Sequence, residues 1–224
     1  MPAKPTIRCK FDHLVVCASD LQSGVLWFEQ HSGIKLPFGG NHPLMATHNH
    51  LTALSADSFL EIIATDPQAS APLRARWFEL DSQPFKVRLG VSPQLTTWVV
   101  GCADLDAALD AAKAAGADAG EAVELTRGDL QWRIGLRADG TLAYDGVFPI
   151  LIQWPQGLNP VSRMQDQGLR LNKLQLQHPQ VDSVMAALQA IGADHLVDLV
   201  PGKAALHARM SIGGHHFPLH NDLS

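Results

Sequence analysis

One pattern recurs three times along the 224-residue chain, and it constrains the fold more than any other feature. An alternating apolar strand, Phe11 to Cys17, leads into Asp20-Leu21, an amphipathic stretch carrying Val25, Leu26 and Phe28, and then Gly33. A second strand, Leu95 to Gly101, leads into Asp104-Leu105, an alanine-rich amphipathic stretch and Gly116. A third, Leu171 to Gln177, leads into Val181-Asp182, another amphipathic stretch and Gly192. In each unit the period switches from two to 3.6, the signature of a strand followed by a helix. Asp20 and Asp104 can accept from the free N–H groups that open a helix, and the three glycines can take the left-handed turn that ends one.

The segments after the first two helices each read as three further strands. In the first unit these are Met45–His50, Leu51–Ser55 and Phe59–Thr65; in the second they are Val123–Thr126, Leu130–Arg137 and Phe148–Trp154, with a turn at Ala138-Asp139-Gly140. The third unit is compressed, with strands at Leu196–Val200, Leu206–Ile212 and His216–His220. The stretch from Asp66 to Asp81 reads as a connecting helix, with Pro67 and Pro72 permitting its start and Leu73, Trp77 and Leu80 sharing a face. Gly39-Gly40 reads as a turn. The expected architecture is a single α+β domain. It has a βαβββ unit at about 8–66, a linking helix at 67–90, a second βαβββ unit at 91–157 and a partial third repeat at 168–221. Paired units of this kind give curved mixed sheets around an open cleft, with helices on the outer faces.

Several strings in this order resemble the glyoxalase-like domain family of the vicinal-oxygen-chelate superfamily. In the first unit they are Asp12-His13-Leu14-Val15-Val16, the run Gly39 to Asn49, and Leu60-Glu61 through Pro67. In the second they are Arg127, Leu130 to Arg133, Asp139-Gly140 and Phe148 to Trp154. The resemblance covers about 11–220. It implies one divalent metal ion held in the cleft by two ligands from each unit, one on the first strand and one on the last. His13 and Glu61 match in the first unit. In the second, the corresponding positions are Thr97 or Trp98 and Gln153, so the resemblance implies half a metal set.

His13 and Glu61 are therefore the candidate catalytic pair and the incomplete metal set. They either bind a metal with water completing its shell, or act as acid and base with Glu61 orienting His13. A carboxylate between Leu60 and Ile62 is costly to bury without a partner, by several kcal/mol, which favours a site over a chance core contact. His48 and His50 alternate with Thr47 and Asn49, so the two pairs face opposite ways, and Asn49 is the expected ligand-facing residue. Trp98 and Gln153 would form a floor for an organic molecule, and Arg133 could hold a carboxylate bidentately, although Trp132 and Arg133 cannot both face inward. Arg127 is the alternative source of positive charge, its plain role being an ion pair with Asp129. His215, His216 and His220 lack a recognisable zinc spacing, so a structural or solvent-facing role is expected there.

The net charge of −5 and the absence of a basic stripe argue against nucleic acid and anionic membranes as partners. No run reaches the ~20 apolar residues of a bilayer span. The N-terminal stretch does not read as a signal peptide, so a cytoplasmic location is expected. Cys9, Cys17 and Cys102 sit at no metal spacing and read as reduced, packed thiols. No phosphate loop, dinucleotide fingerprint or serine-hydrolase elbow is present, so no nucleotide cofactor is expected. The expected partner is a small-molecule ligand bearing a carbonyl or carboxylate. Lyase, isomerase and dioxygenase chemistry through His13 and Glu61 stand beside non-catalytic sequestration of the bleomycin-resistance type. A homodimer is the commonest assembly for such a chain if it self-associates.

Overall fold

The computed structural model describes residues 7–155 and 159–221. The first six residues, part of the stretch read above for a signal peptide, and residues 156–158, at the end of the second unit, lie outside the described residues. The first unit runs β1 (Lys10–Cys17), α1 (Leu21–Ser32), β2 (Phe38–His42), β3 (Thr47–Ala53) and β4 (Phe59–Thr65). After α2 (Gln83–Val91), the second unit runs β5 (Gln94–Gly101), α3 (Leu105–Ala114), β6 (Glu121–Arg127), β7 (Leu130–Leu136) and β8 (Ile150–Gln153). The third comprises β9 (Arg170–His178), α4 (Val181–Ala190), β10 (Asp198–Pro201), β11 (Ala205–Ile212) and β12 (His215–His220).

The caps fall where the residues require them. The carboxylates of Asp20 and Asp104 accept from the backbone N–H of Ser23 and Ala107, and Gly33 closes α1 at φ 73°. Eight strands form one mixed sheet in the order β2-β3-β4-β1-β5-β8-β7-β6. The two halves repeat the same internal order and meet antiparallel along β1 and β5. Each half pairs its first and last strands in parallel. The sheet curls until its edges, β2 and β6, approach each other. Here Gly40 is required: at φ 146° it leaves room for Arg127, whose Cδ lies 2.6 Å from where a β-carbon would stand.

The convex face is closed by α1, α3, α4 and the third unit, around a core that includes Phe28, Trp98, Leu105, Leu176, Val184 and Leu206. The concave face is half filled. Trp77, Phe78, Leu80, Phe85 and Leu89 pack against Val15, Cys17, Ile63 and Val99 at one end. Burying each of these large side chains stabilises the fold by about 1.5–3 kcal/mol. The other end, around His13, stays open.

Three expectations need correction. Residues 66–81 form turns, and the linking helix is Gln83–Val91. Phe78 and Glu79 both take left-handed φ, and the Asp81 carboxylate ties back to the backbone and guanidinium of Arg76, so the helix starts only where Ser82 can cap Phe85. Met45–His50 and Leu51–Ser55 are not separate strands; Thr47–Ala53 is continuous, and its partner is Phe38–His42. Gly39-Gly40 lies in that strand and not in a turn; glycine is needed at 39 because Asn49 and Leu51 occupy the space a β-carbon there would fill. The third unit has the three strands expected after its opening strand and helix, in the order β10-β9-β11-β12 with β9 parallel to β10. It packs on the outside as a separate four-stranded sheet.

Candidate functional site

The open end of the concave face is a cavity to which both units contribute. Among the described residues its lining includes His13, His42, Asn49, Phe59, Glu61 and Trp77, with Arg127, Trp132, Ile152 and Trp154 facing them. It holds about 30 Å³ of water-accessible volume within about 380 Å³ of empty space that continues into its mouth. That is room for a few heavy atoms inside, with any larger part of a ligand in the mouth.

Strand register places the first-unit residues. His13 sits opposite Phe59 on the parallel β1–β4 ladder, and Val15 opposite Glu61, so all four share the inner face. Leu51 faces Glu61 across the β3–β4 ladder, and Asn49, two residues along, reaches Glu61 diagonally. Asn49 Nδ2 donates to Glu61 Oε1 at 2.5 Å. The other Glu61 oxygen stands 3.8 Å from His13 Nε2, too far for a direct hydrogen bond and close enough for an intervening group. His13 Nδ1 contacts Asp12 Oδ1 at 2.5 Å, and the ring lies stacked on Phe59 with centroids 4.3 Å apart. An acceptor at Nδ1 fixes the neutral ring as the Nδ1–H tautomer and turns a free Nε2 lone pair toward Glu61.

The second unit completes the network. Trp154 Nε1 donates to the other Asp12 oxygen at 2.9 Å, and Arg127 Nη1 donates to Asn49 Oδ1 at 3.2 Å. Two hydrogen-bonded arms, Arg127–Asn49–Glu61 and Trp154–Asp12–His13, therefore face each other across the 3.8 Å gap between Glu61 and His13. Asp12, His13, Asn49 and Glu61 are each less than 7% exposed. Ionisable groups collected this far from water mark a place where a protein does chemistry more often than one where it only packs. His42 lies beside Arg127, with Nε2 3.5 Å from the guanidinium and Nδ1 3.2 Å from the Thr47 hydroxyl. Burial, and then the positive charge of Arg127, push His42 down to about 3, so it is a neutral wall of the site at physiological pH. Trp77, 4% exposed, lines the cavity, and its indole N–H finds no partner among the described residues.

Of the residues singled out in the sequence, His13, Glu61 and Asn49 meet in the cavity. Arg127 also reaches it, and Asp129 pairs with Arg163 instead. Trp98, Arg133 and Gln153 do not line it. Trp98 is opposite Leu14 on the convex side, fully buried, with Nε1 donating to Val147 O at 2.9 Å. Arg133 and Gln153 are paired across β7 and β8 on the convex face, where Arg133 binds Asp106 of α3 and Gln153 caps the same helix at Leu105 N. Alternation decides each case: Trp132, Ile152 and Trp154 take the inner positions, so their neighbours point out. His48 and His50 face away from Asn49, with His50 Nδ1 against Leu36 O at 2.5 Å. Asp12, His42, Trp77 and Trp154 were not singled out as inward-facing. Asp12 stands beside His13 in sequence, which was the available signal.

The donor set does not fit the divalent metal implied by the resemblance. With Asp12 on the other ring nitrogen and Asn49 on the other carboxylate oxygen, the first unit offers at most His13 Nε2 and one Glu61 oxygen, and the second unit supplies no partners for them. The inner positions of β5 and β8 include Thr97, Val99, Ile150 and Ile152, and the Thr97 hydroxyl donates to Gly146 O. A guanidinium stands within hydrogen-bond distance of Asn49. Among the described residues no group of three or more His, Cys, Asp or Glu side chains is arranged to hold a metal ion.

The chain matches the glyoxalase-like domain family over residues 11–192. Among solved structures it is similar to a hypothetical protein from Staphylococcus aureus, at 13% identity and a TM-score of 0.57, covering 95% of this chain and 88% of that one. It is similar, more loosely, to methylmalonyl-CoA epimerase from Mycobacterium tuberculosis, at 17% identity and a TM-score of 0.42, covering 69% and 93%. A variant of 4-hydroxymandelate synthase from Streptomyces coelicolor is similar at 15% identity and a TM-score of 0.46, covering 95% and 63%. No curated protein matches the chain. Because the family match spans 11–192 and the first two units have the paired βαβββ architecture, the chain belongs to the glyoxalase-like domain family.

Proposed function

We propose that this protein binds a small carbonyl- or carboxylate-bearing molecule in the concave cavity and moves a proton on it, as an isomerase or lyase. The observation that carries this reading is the pairing of His13 Nε2 and Glu61 Oε2 at 3.8 Å, each held from behind by a different partner. Two groups able to exchange a proton, with room for a reacting atom between them, form an acid–base pair. Asp12 fixes the orientation of His13, and Asn49 fixes that of Glu61. The Arg127 guanidinium sits where it can draw in a carboxylate or polarise a carbonyl oxygen, and Trp77 offers a further N–H. The aromatic walls exclude water and strengthen both interactions.

The test is hydrogen exchange at carbon. Small 2-oxo acids and branched carboxylates are incubated with the protein in D₂O and followed by proton NMR. The reading expects deuterium uptake beside the carbonyl of at least one compound, lost in Glu61→Gln while the melting curve stays close to wild type. Binding of these compounds with exchange in none of them would refute the catalytic reading. It would support the second one, sequestration of a planar ligand, which the lining of Phe59, Trp77, Phe78, Trp132 and Trp154 favours.

A further inference from the structure

We infer that Cys9 and Cys102 are a dithiol that a peroxide closes into an intramolecular disulfide, fastening the seam between the first two units. The last pair of the β1–β5 ladder is Lys10 opposite Gly101, and the two cysteines are the next residue on each side. Their sulfurs lie 2.9 Å apart, across 93 residues of chain. That is inside the ~3.5–4.0 Å at which unbonded heavy atoms normally settle. A disulfide needs about 2.05 Å, so closure requires the sulfurs to move by less than roughly 1 Å. Both backbones are already fixed. Cys9 N donates to Ile191 O at 3.0 Å and Cys102 N to Ile152 O at 2.7 Å. Cys17, seven residues from the ladder's end on the same strand, is opposite Gln94.

Cys102, 7% exposed, is more open than Cys9, which is fully buried, and is the sulfur that meets the oxidant. Its thiolate attacks one oxygen of hydrogen peroxide, and the O–O bond breaks. Cys102 becomes a sulfenic acid, and the departing hydroxide takes the thiol proton to leave as water. Cys9 sulfur then attacks the Cys102 sulfur, the S–O bond breaks, and the second oxygen leaves as water with the Cys9 proton. Two thiols and one peroxide give one disulfide and two waters. The contact with Cys9 and burial both hold the Cys102 thiol well above the usual range, so oxidation is slow at neutral pH and quickens as pH rises.

The seam is also where the site is anchored. Asp12, which holds His13 and Trp154, stands three residues beyond Cys9, with Oδ2 3.5 Å from the β-carbon position of Gly101. Any effect of the disulfide on turnover rests on the acid–base reading above. Its formation does not, so the two fail separately.

The full chain is treated with hydrogen peroxide at about pH 7 and pH 9, quenched with acid, then unfolded in denaturant with an alkylating agent, and mapped by mass spectrometry. The expected result is a mass loss of about 2 Da, a cross-linked peptide containing Cys9 and Cys102, an alkylated Cys17, faster reaction at the higher pH, and reversal by dithiothreitol. The oxidised protein should melt on the order of 10 °C higher, because the linkage closes a long loop. In Cys9→Ser, Cys102 should gain oxygen without cross-linking. Separate oxygen addition at the two sulfurs in the wild type, pairing through Cys17, or three alkylated thiols after excess oxidant would overturn the proposal. These wild-type maps decide the matter even if the serine variant fails to fold.

Discussion

Asp12 receives two donors, His13 Nδ1 at 2.5 Å and Trp154 Nε1 at 2.9 Å, and Asp12→Asn tests both bonds without changing the side chain's size. The indole N–H can only donate, so the amide oxygen of Asn must turn toward Trp154. The amide NH₂ then faces His13 Nδ1 and forces it to accept. The His13 proton moves to Nε2, and the lone pair that faced Glu61 is lost. A hydrogen bond to an ionised group contributes about 1.5–3 kcal/mol and a neutral one about 0.5–1.5 kcal/mol. Replacing two of the former by two of the latter costs about 2–3 kcal/mol. For a chain of this length that lowers the melting temperature by about 5–10 °C. Denaturant unfolding measures the free energy, and long-range ¹H–¹⁵N spectra of the ring nitrogens report the tautomer. The reasoning is refuted if the variant unfolds within about 0.5 kcal/mol of wild type and His13 remains protonated at Nδ1.

Three further outcomes follow from the same geometry. Folded His42 titrates near 3 and unfolded His42 near 6.5, so as pH falls the unfolded chain takes up a proton that the folded one refuses. This contribution to stability is whole above about pH 6.5 and is lost toward pH 3 at about 1.4 kcal/mol per pH unit, and His42→Gln should flatten that slope in pH-dependent unfolding. Arg127→Met should weaken binding of small carboxylates roughly 10- to 100-fold by titration calorimetry, the loss of one charge-assisted bond in a partly buried site. Arg133→Gln should leave affinity unchanged and barely move the melting curve, because its partner Asp106 is on the outer, solvated face.

The paired architecture was legible because each unit's alternation, cap and terminal glycine are local signals. The linking helix was misplaced because Trp77 and Leu80 are buried by packing onto the inner face of the sheet, which sequence periodicity cannot distinguish from one face of a helix. Alternation correctly set Asn49 apart from His48 and His50, and it forbade Trp132 and Arg133 from sharing a side. It could not say which of each pair faces inward, since that depends on the direction in which the whole sheet curls. Trp98 and Gln153 were aligned to ligand positions by analogy, and the register of the second unit turns both away. Arg127 belongs to the cavity only because β2 and β6 converge, a contact between strands about 85 residues apart that no local pattern records.

The central claim is that the ligand enters the concave end between the two units, against His13, Glu61 and Arg127. The five tryptophans test it directly, since Trp77, Trp132 and Trp154 line the cavity while Trp98 lies in the convex core and Trp27 on α1. Their indole ¹H–¹⁵N resonances are followed while pyruvate and benzoate are added. The account predicts that Trp77, Trp132 and Trp154 shift together with one apparent affinity, that this affinity weakens in Arg127→Met, and that Trp27 and Trp98 stay still. Shifts at Trp98 or Trp27 with the cavity indoles unmoved would place the ligand elsewhere and contradict it.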